Sequence, residues 1–222
     1  MTALSVSALI ARVDRTEVLR YMGTAAQCDD SLSALVEEAL AELEKVAVPR
    51  MVWRRVEVTA QPDGIGLGPV TAPGADLARH LAGCREAVLF AATLGIGVDQ
   101  LIRRVALLSM SQSAALQAGA AALLETYCDW CQEELTKEPG AAHQRSRVSP
   151  GYGDLPLSFQ GPLLRCLESH RIGLTTTAAM MMVPTKSVSA IIGLGEEQGE
   201  KRPCGRGCAF CSKTDCAFRK VE

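Results

Sequence analysis

The order of elements along this sequence predicts an α+β fold, a single domain in which a mainly antiparallel sheet packs with long helices. Three observations carry the expectation. Met51 to Ala60 alternates apolar and charged residues and runs through the Pro62-Asp63-Gly64 turn into Ile65 to Val70, the pattern of a hairpin. Glu86 to Thr93 is a nearly continuous apolar run, which reads as a buried strand turning into a helix. A long alanine-rich helical stretch follows, and short apolar runs return between Thr175 and Leu194. Strands, long helices and strands again do not make the regular alternation of a doubly wound parallel sheet.

Each element has its own local reason. Asp29 and Asp30 stand before Leu32, Leu35, Val36, Ala39, Leu40 and Leu43, a stripe of period 3.6 with Glu37, Glu38 and Glu42 turned away, so a capped amphipathic helix is expected there. After the apolar run, Leu94-Gly95-Ile96-Gly97 turns into a helical pattern beginning near Asp99. The glycines there fit a tight turn better than a phosphate cradle, because the third glycine of the dinucleotide fingerprint is missing. Helix is expected from Val98 to about Lys137, with a break, and Glu138-Pro139-Gly140 stops it. A polar loop from Ala141 to Tyr152 leads to a further helix near Pro162 to Ser169, where proline suits the first turn.

Bulk properties exclude several classes. The 222 residues are 48% hydrophobic and 22% charged, an ordinary globular composition, and 23 basic against 25 acidic residues leave a formal charge of −2. Such a balance projects no field that would gather nucleic acid or anionic lipid. The N-terminal stretch lacks the basic start and cleavage pattern of a secretory signal, so a cytoplasmic protein is expected. Twenty uncharged residues lie between Arg104 and Glu125, but Ser109, Ser111, Gln112, Ser113 and Gln117 interrupt them, and a buried helix of small residues accounts for them better than a membrane span.

The cysteines are unevenly placed. Of nine, Cys204, Cys208, Cys211 and Cys216 fall within thirteen residues, and without an export signal the cluster reads as metal-binding. Converging thiolates suit tetrahedral zinc or an iron–sulfur cluster, and Lys201, Arg202, Arg206, Lys213, Arg219 and Lys220 would offset their charge. Spacing alone leaves the metal open. A radical S-adenosylmethionine site shares part of this spacing, yet here a fourth cysteine would fill the iron position that such enzymes leave open. Residues 1–200 and 201–222 are therefore read as a main domain and a metal-binding tail.

Two further segments carry candidate chemistry. Arg147-Val148-Ser149-Pro150-Gly151-Tyr152 places a fixed cation beside a turn and an aromatic ring, which suits either a ligand carboxylate or a plain surface turn. In Leu123 to Glu134, Glu125 ends the uncharged run and Asp129 lies one turn further on the same face. Glu125 is either a solvated helix residue or a carboxylate facing a cationic ligand. Cys128 and Cys131 on this helix, flanked by aromatic residues, read as packing, and His80, His143 and His170 show no common spacing.

In their order, these segments resemble the activation domain of cobalamin-dependent methionine synthase. Arg147-x-x-Pro150-Gly151-Tyr152 is similar to that family's Arg-x-x-x-Gly-Tyr loop, and the helix bearing Glu125 to the one preceding it. Ile172-Gly173-Leu174-Thr175, the Ser187-Val188-Ser189 segment up to Gly193, and Phe90 to Gly95 extend the resemblance over roughly Glu86 to Gly193, while the N-terminal third matches more loosely. The resemblance implies an S-adenosylmethionine site in which Arg147 holds the carboxylate, backbone at Val148 and Gly151 meets the adenine, Glu125 takes the ammonium or sulfonium and Tyr152 lies near the methyl group. Asp14 is a candidate for the acidic residue of the family's N-terminal part.

No cobalamin-binding Asp-x-His-x-x-Gly motif is present, and the cysteine tail is foreign to the fused domain, so a free-standing accessory subunit is expected. Its partner would be a methionine synthase or other corrinoid protein that carries the cobalamin, with a flavodoxin- or ferredoxin-like electron donor. Two other readings remain: an iron–sulfur activator delivering electrons to a corrinoid protein, and a zinc-stabilised interaction module without catalysis.

Overall fold

The computed structural model describes residues 4–24, 29–139 and 143–195. Helices α1 (Val6–Arg12) and α2 (Arg15–Tyr21) precede α3 (Asp30–Val46), then come β1 (Arg50–Gln61), β2 (Gly64–Leu67), β3 (Val70–Ala72) and α4 (Ala75–His80). β4 (Glu86–Thr93) leads into α5 (Ile96–Ala106) and α6 (Met110–Leu135), and α7 (Gln160–Cys166), β5 (Thr175–Thr176), β6 (Met182–Val183) and β7 (Ser187–Leu194) complete the order. The fold is α+β, with a five-stranded antiparallel sheet in the order β3-β2-β1-β4-β7 and a small β5-β6 hairpin beside it.

The apolar run of β4 is explained by burial on both faces. Val88, Phe90 and Ala92 enter the core formed with α1, α2, α3, α5 and α6, whereas Ala87, Leu89 and Ala91 enter a second core with α4 and α7. Period-2 alternation thus places each residue from Ala87 to Ala92 in an apolar layer. The stripe on α3 faces the first core through Val36, Ala39, Leu40 and Leu43, and the Asp29 carboxylate accepts from the Leu32 amide at 2.8 Å as its N-cap.

Three expectations are refined. The second hairpin strand is two strands, β2 and β3, parted at Gly68-Pro69, where proline has no amide to give the ladder. The break in the long helix falls at Leu107 to Ser109, and the Ser109 hydroxyl caps α6 by accepting from the Gln112 amide at 3.3 Å. The uncharged run therefore turns a corner, and Leu107, Leu108 and Met110 are exposed on it. Among the described residues, no helix is long and apolar enough to cross a membrane. The N-terminal pair α1 and α2 was not foreseen, being too short for a periodic signal.

Gly97 shows why the turn after β4 needs glycine. A Cβ there would stand 2.8 Å from the Val46 carbonyl oxygen, so the glycine is spent on close packing of α5 against the end of α3. Asp99, buried two residues later, accepts from the amide and hydroxyl of Thr185, both at 2.7 Å, and ties the β6–β7 loop to α5.

Candidate functional site

The loop that carries Arg147 is fixed by the free edge of the sheet. Val148 exchanges both backbone hydrogen bonds with Ile191 of β7, at 3.0 and 2.8 Å, and the Arg145 amide donates to Gly193 at 2.9 Å. Residues 144–148 thereby cover β7 in an extended conformation, and neighbouring side chains point to opposite faces. Val148 is buried in the core with α7, so Arg147 is directed to the other face, where α6 runs.

Three side chains on one face of α6 meet it there. The Arg147 guanidinium donates through Nη2 to Asp129 at 2.8 Å and to Glu125 at 3.0 Å, and through Nη1 to Gln132 at 3.1 Å. The spacing 125, 129, 132 is one helical stripe. Arg147 is 9% exposed, while Glu125 and Asp129 are 52% and 49% exposed, so the cation lies beneath two carboxylates that meet solvent. Burial by itself would lower the Arg147 pKa, but the Asp129 and Glu125 carboxylates counter it, and the value stands above that of an ordinary arginine. The Gln132 amide also donates to the Arg145 carbonyl at 3.1 Å, a second tie between helix and loop.

Gly151 adopts φ +94°, a conformation that favours glycine, and its amide donates to the Leu155 carbonyl at 2.9 Å. Tyr152 is 66% exposed on this turn, and its phenol makes no hydrogen bond to the arginine cluster among the described residues. The turn is anchored in its own right: the Asp154 carboxylate accepts from the Ala75 amide at 2.6 Å and from the Asp76 amide at 3.1 Å, at the start of α4. His80, at the end of α4, meets the Ser146 carbonyl at 3.0 Å, and burial first of all lowers its pKa.

The structure thus brings Arg147 and Glu125 together, with Val148 as a sheet anchor and Gly151-Tyr152 on the adjoining turn. Sequence reasoning did not single out Gln132, although a position seven residues after Glu125 shares its helical face. Tyr21 was also missed. Burial raises its pKa, the Glu125 charge raises it further, and Arg20 stacks over its ring at 4.6 Å, so α2 borders the site. The Asp14 carboxylate caps α2 by accepting from the Thr16 amide at 2.8 Å.

Cys128 and Cys131 are buried, beside Tyr127 and Trp130 stacked at 5.8 Å. Burial pushes the Cys128 thiol well up and that of Cys131 to about 12, so both pack as neutral thiols. Among the described residues, no group of three or more metal-ligating side chains occurs. Cys204, Cys208, Cys211 and Cys216 lie outside the described residues.

A crystal structure of the MetH reactivation domain bound to AdoHcy shares this fold. The two superpose with a TM-score of 0.70 over 89% of this chain and 78% of that one, at 18% sequence identity. At that identity the likeness is one of fold. No family model matches the sequence, and neither does any curated protein.

Proposed function

We propose that this chain binds S-adenosylmethionine at the Arg147 cluster and supports the reductive methylation that reactivates cob(II)alamin on a separate methionine synthase or related corrinoid protein. The observation that carries the reading is a buried arginine fixed under two half-exposed carboxylates on the covered edge of the sheet. The shared fold with a domain whose crystal structure holds AdoHcy supports it.

The donor set fits such a ligand. Arg147 carries the planar, charged fork that a carboxylate needs, held by Gln132 and the β7 edge, and a ligand carboxylate would take the place that Glu125 or Asp129 holds on it in this structure. Glu125 offers the charge that an ammonium or sulfonium needs. The turn at Gly151 allows backbone to approach a flat ring, and Tyr152 supplies an exposed aromatic face close by in sequence. When bound, S-adenosylmethionine would supply an electrophilic methyl group, and one external electron would supply the reduced cobalt that accepts it. The chain's own part is orientation of the donor. The four tail cysteines are proposed to hold zinc or an iron–sulfur cluster that docks the partner or passes the electron.

The test is a reactivation assay with the full chain, a corrinoid-loaded methionine synthase that lacks its own activation domain, S-adenosylmethionine and a chemical reductant. Loss of cob(II)alamin absorption with appearance of methylcobalamin, dependent on this chain, is the expected result. Equal rates with and without the chain would overturn the reading.

A further inference from the structure

We infer, on the S-adenosylmethionine reading above, that Glu125 is the side chain a ligand carboxylate displaces from Arg147, and that this exchange selects a zwitterionic amino-acid group over a plain carboxylate. Both hydrogen bonds of the guanidinium Nη2 are taken, by Glu125 and Asp129, and Gln132 holds Nη1. A ligand carboxylate that takes Nη2 therefore replaces one of the two. Asp129 is the firmer partner: it stands closer, at 2.8 Å against 3.0 Å, in the partly buried part of the cluster, and a further interaction holds it. The Glu125 contact lies at the surface, and among the described residues its carboxylate has Arg147 as its one hydrogen-bond partner.

Placement agrees with contact strength. Glu125 stands at one end of the stripe 125, 129, 132, and Gln132, at the other end, ties the helix to the Arg145 carbonyl. A glutamate has one more rotatable bond than an aspartate, so Glu125 can leave the fork while its backbone stays in α6. Breaking its pair opens Nη2 without loosening the end that fixes the arginine.

Counting ion pairs then gives the selectivity. When a zwitterion binds, its carboxylate takes Arg147 and its ammonium takes the released Glu125, so one pair breaks and two form. A ligand that bears the carboxylate alone breaks one pair, forms one, and leaves Glu125 as an unpaired anion beside another anion.

The experiment is calorimetric titration of the full chain with S-adenosylhomocysteine and with its deamino analogue, which keeps the carboxylate and the thioether and lacks the ammonium. The wild type should prefer S-adenosylhomocysteine by about three- to tenfold. In Glu125→Ala the deamino analogue should tighten by about two- to fivefold, because no pair has to be broken, and the two affinities should converge. Glu125→Gln loses the charge but keeps an amide oxygen that can accept from Nη2, so the deamino analogue should gain less there than in Glu125→Ala. A crystal structure of the wild type with S-adenosylhomocysteine should show the ligand carboxylate on Nη2 beside Asp129, with Glu125 turned to the ammonium. Glu125 still on Nη2, or Asp129 displaced in its place, would overturn the exchange. So would an unchanged preference in Glu125→Ala, and equal gains in the two variants would reduce Glu125 to a fixed charge. If the wild type binds neither ligand, the S-adenosylmethionine reading itself falls and takes this inference with it.

Discussion

Single side chains decide most of what this site can do. Glu125 is half exposed and its pair with Arg147 is a surface-type contact, so Glu125→Gln should change the unfolding free energy by less than about 1 kcal/mol. The same change should weaken S-adenosylmethionine clearly. Chemical denaturation beside a binding titration separates the two, and an unfolded variant would mean that the carboxylate is structural. Cys128 and Cys131 are held as buried neutral thiols, so alkylation of the native chain followed by peptide mapping should leave both unmodified. Fast labelling of either would contradict the packing role. Arg147 and Glu125 were legible in the sequence through the resemblance, and Asp129 through its place one turn on. Gln132 was not, because an uncharged amide gives no signal until a partner is known.

Elements and their connections hold the loop where the chemistry needs it. β4 was legible because burial on both faces leaves a continuous apolar run, and α3 because burial on one face leaves a stripe with a cap before it. The pairing of residues 144–148 with β7 was not legible, since those hydrogen bonds join segments over forty residues apart and leave no periodic trace in a polar loop. Two connections are open to test. Asp99 holds Thr185 by two charge-assisted hydrogen bonds, so Asp99→Ala should lower stability by about 2–3 kcal/mol, read as a fall in Tm. An unchanged Tm would remove the clamp. Burial depresses the His80 pKa below that of the unfolded chain, near 6.5, so its contribution is present above about pH 6.5 and is lost as pH falls through the folded value. Urea unfolding at pH 7.5 and 5.5 should show a smaller loss on acidification for His80→Gln than for the wild type, and equal losses would place the pH dependence elsewhere.

At the scale of the whole molecule, both cores and the arginine cluster are built from residues up to Leu194, so residues 1–200 are expected to fold alone and keep ligand binding. Changing Cys208 or Cys211 to serine should abolish metal content in the tail and spare that binding, as read by metal analysis and titration. Loss of folding in either case would make the metal structural. The central claim is that Arg147 anchors S-adenosylmethionine, and calorimetry on the full chain tests it most directly. The wild type should give a saturable heat with one ligand per chain. Arg147→Ala should bind more weakly by about 2–5 kcal/mol, because the ligand carboxylate loses its buried partner, and Arg147→Lys should recover only part of the loss. Equal affinity of wild type and Arg147→Ala, or no heat with a folded wild type, would contradict it.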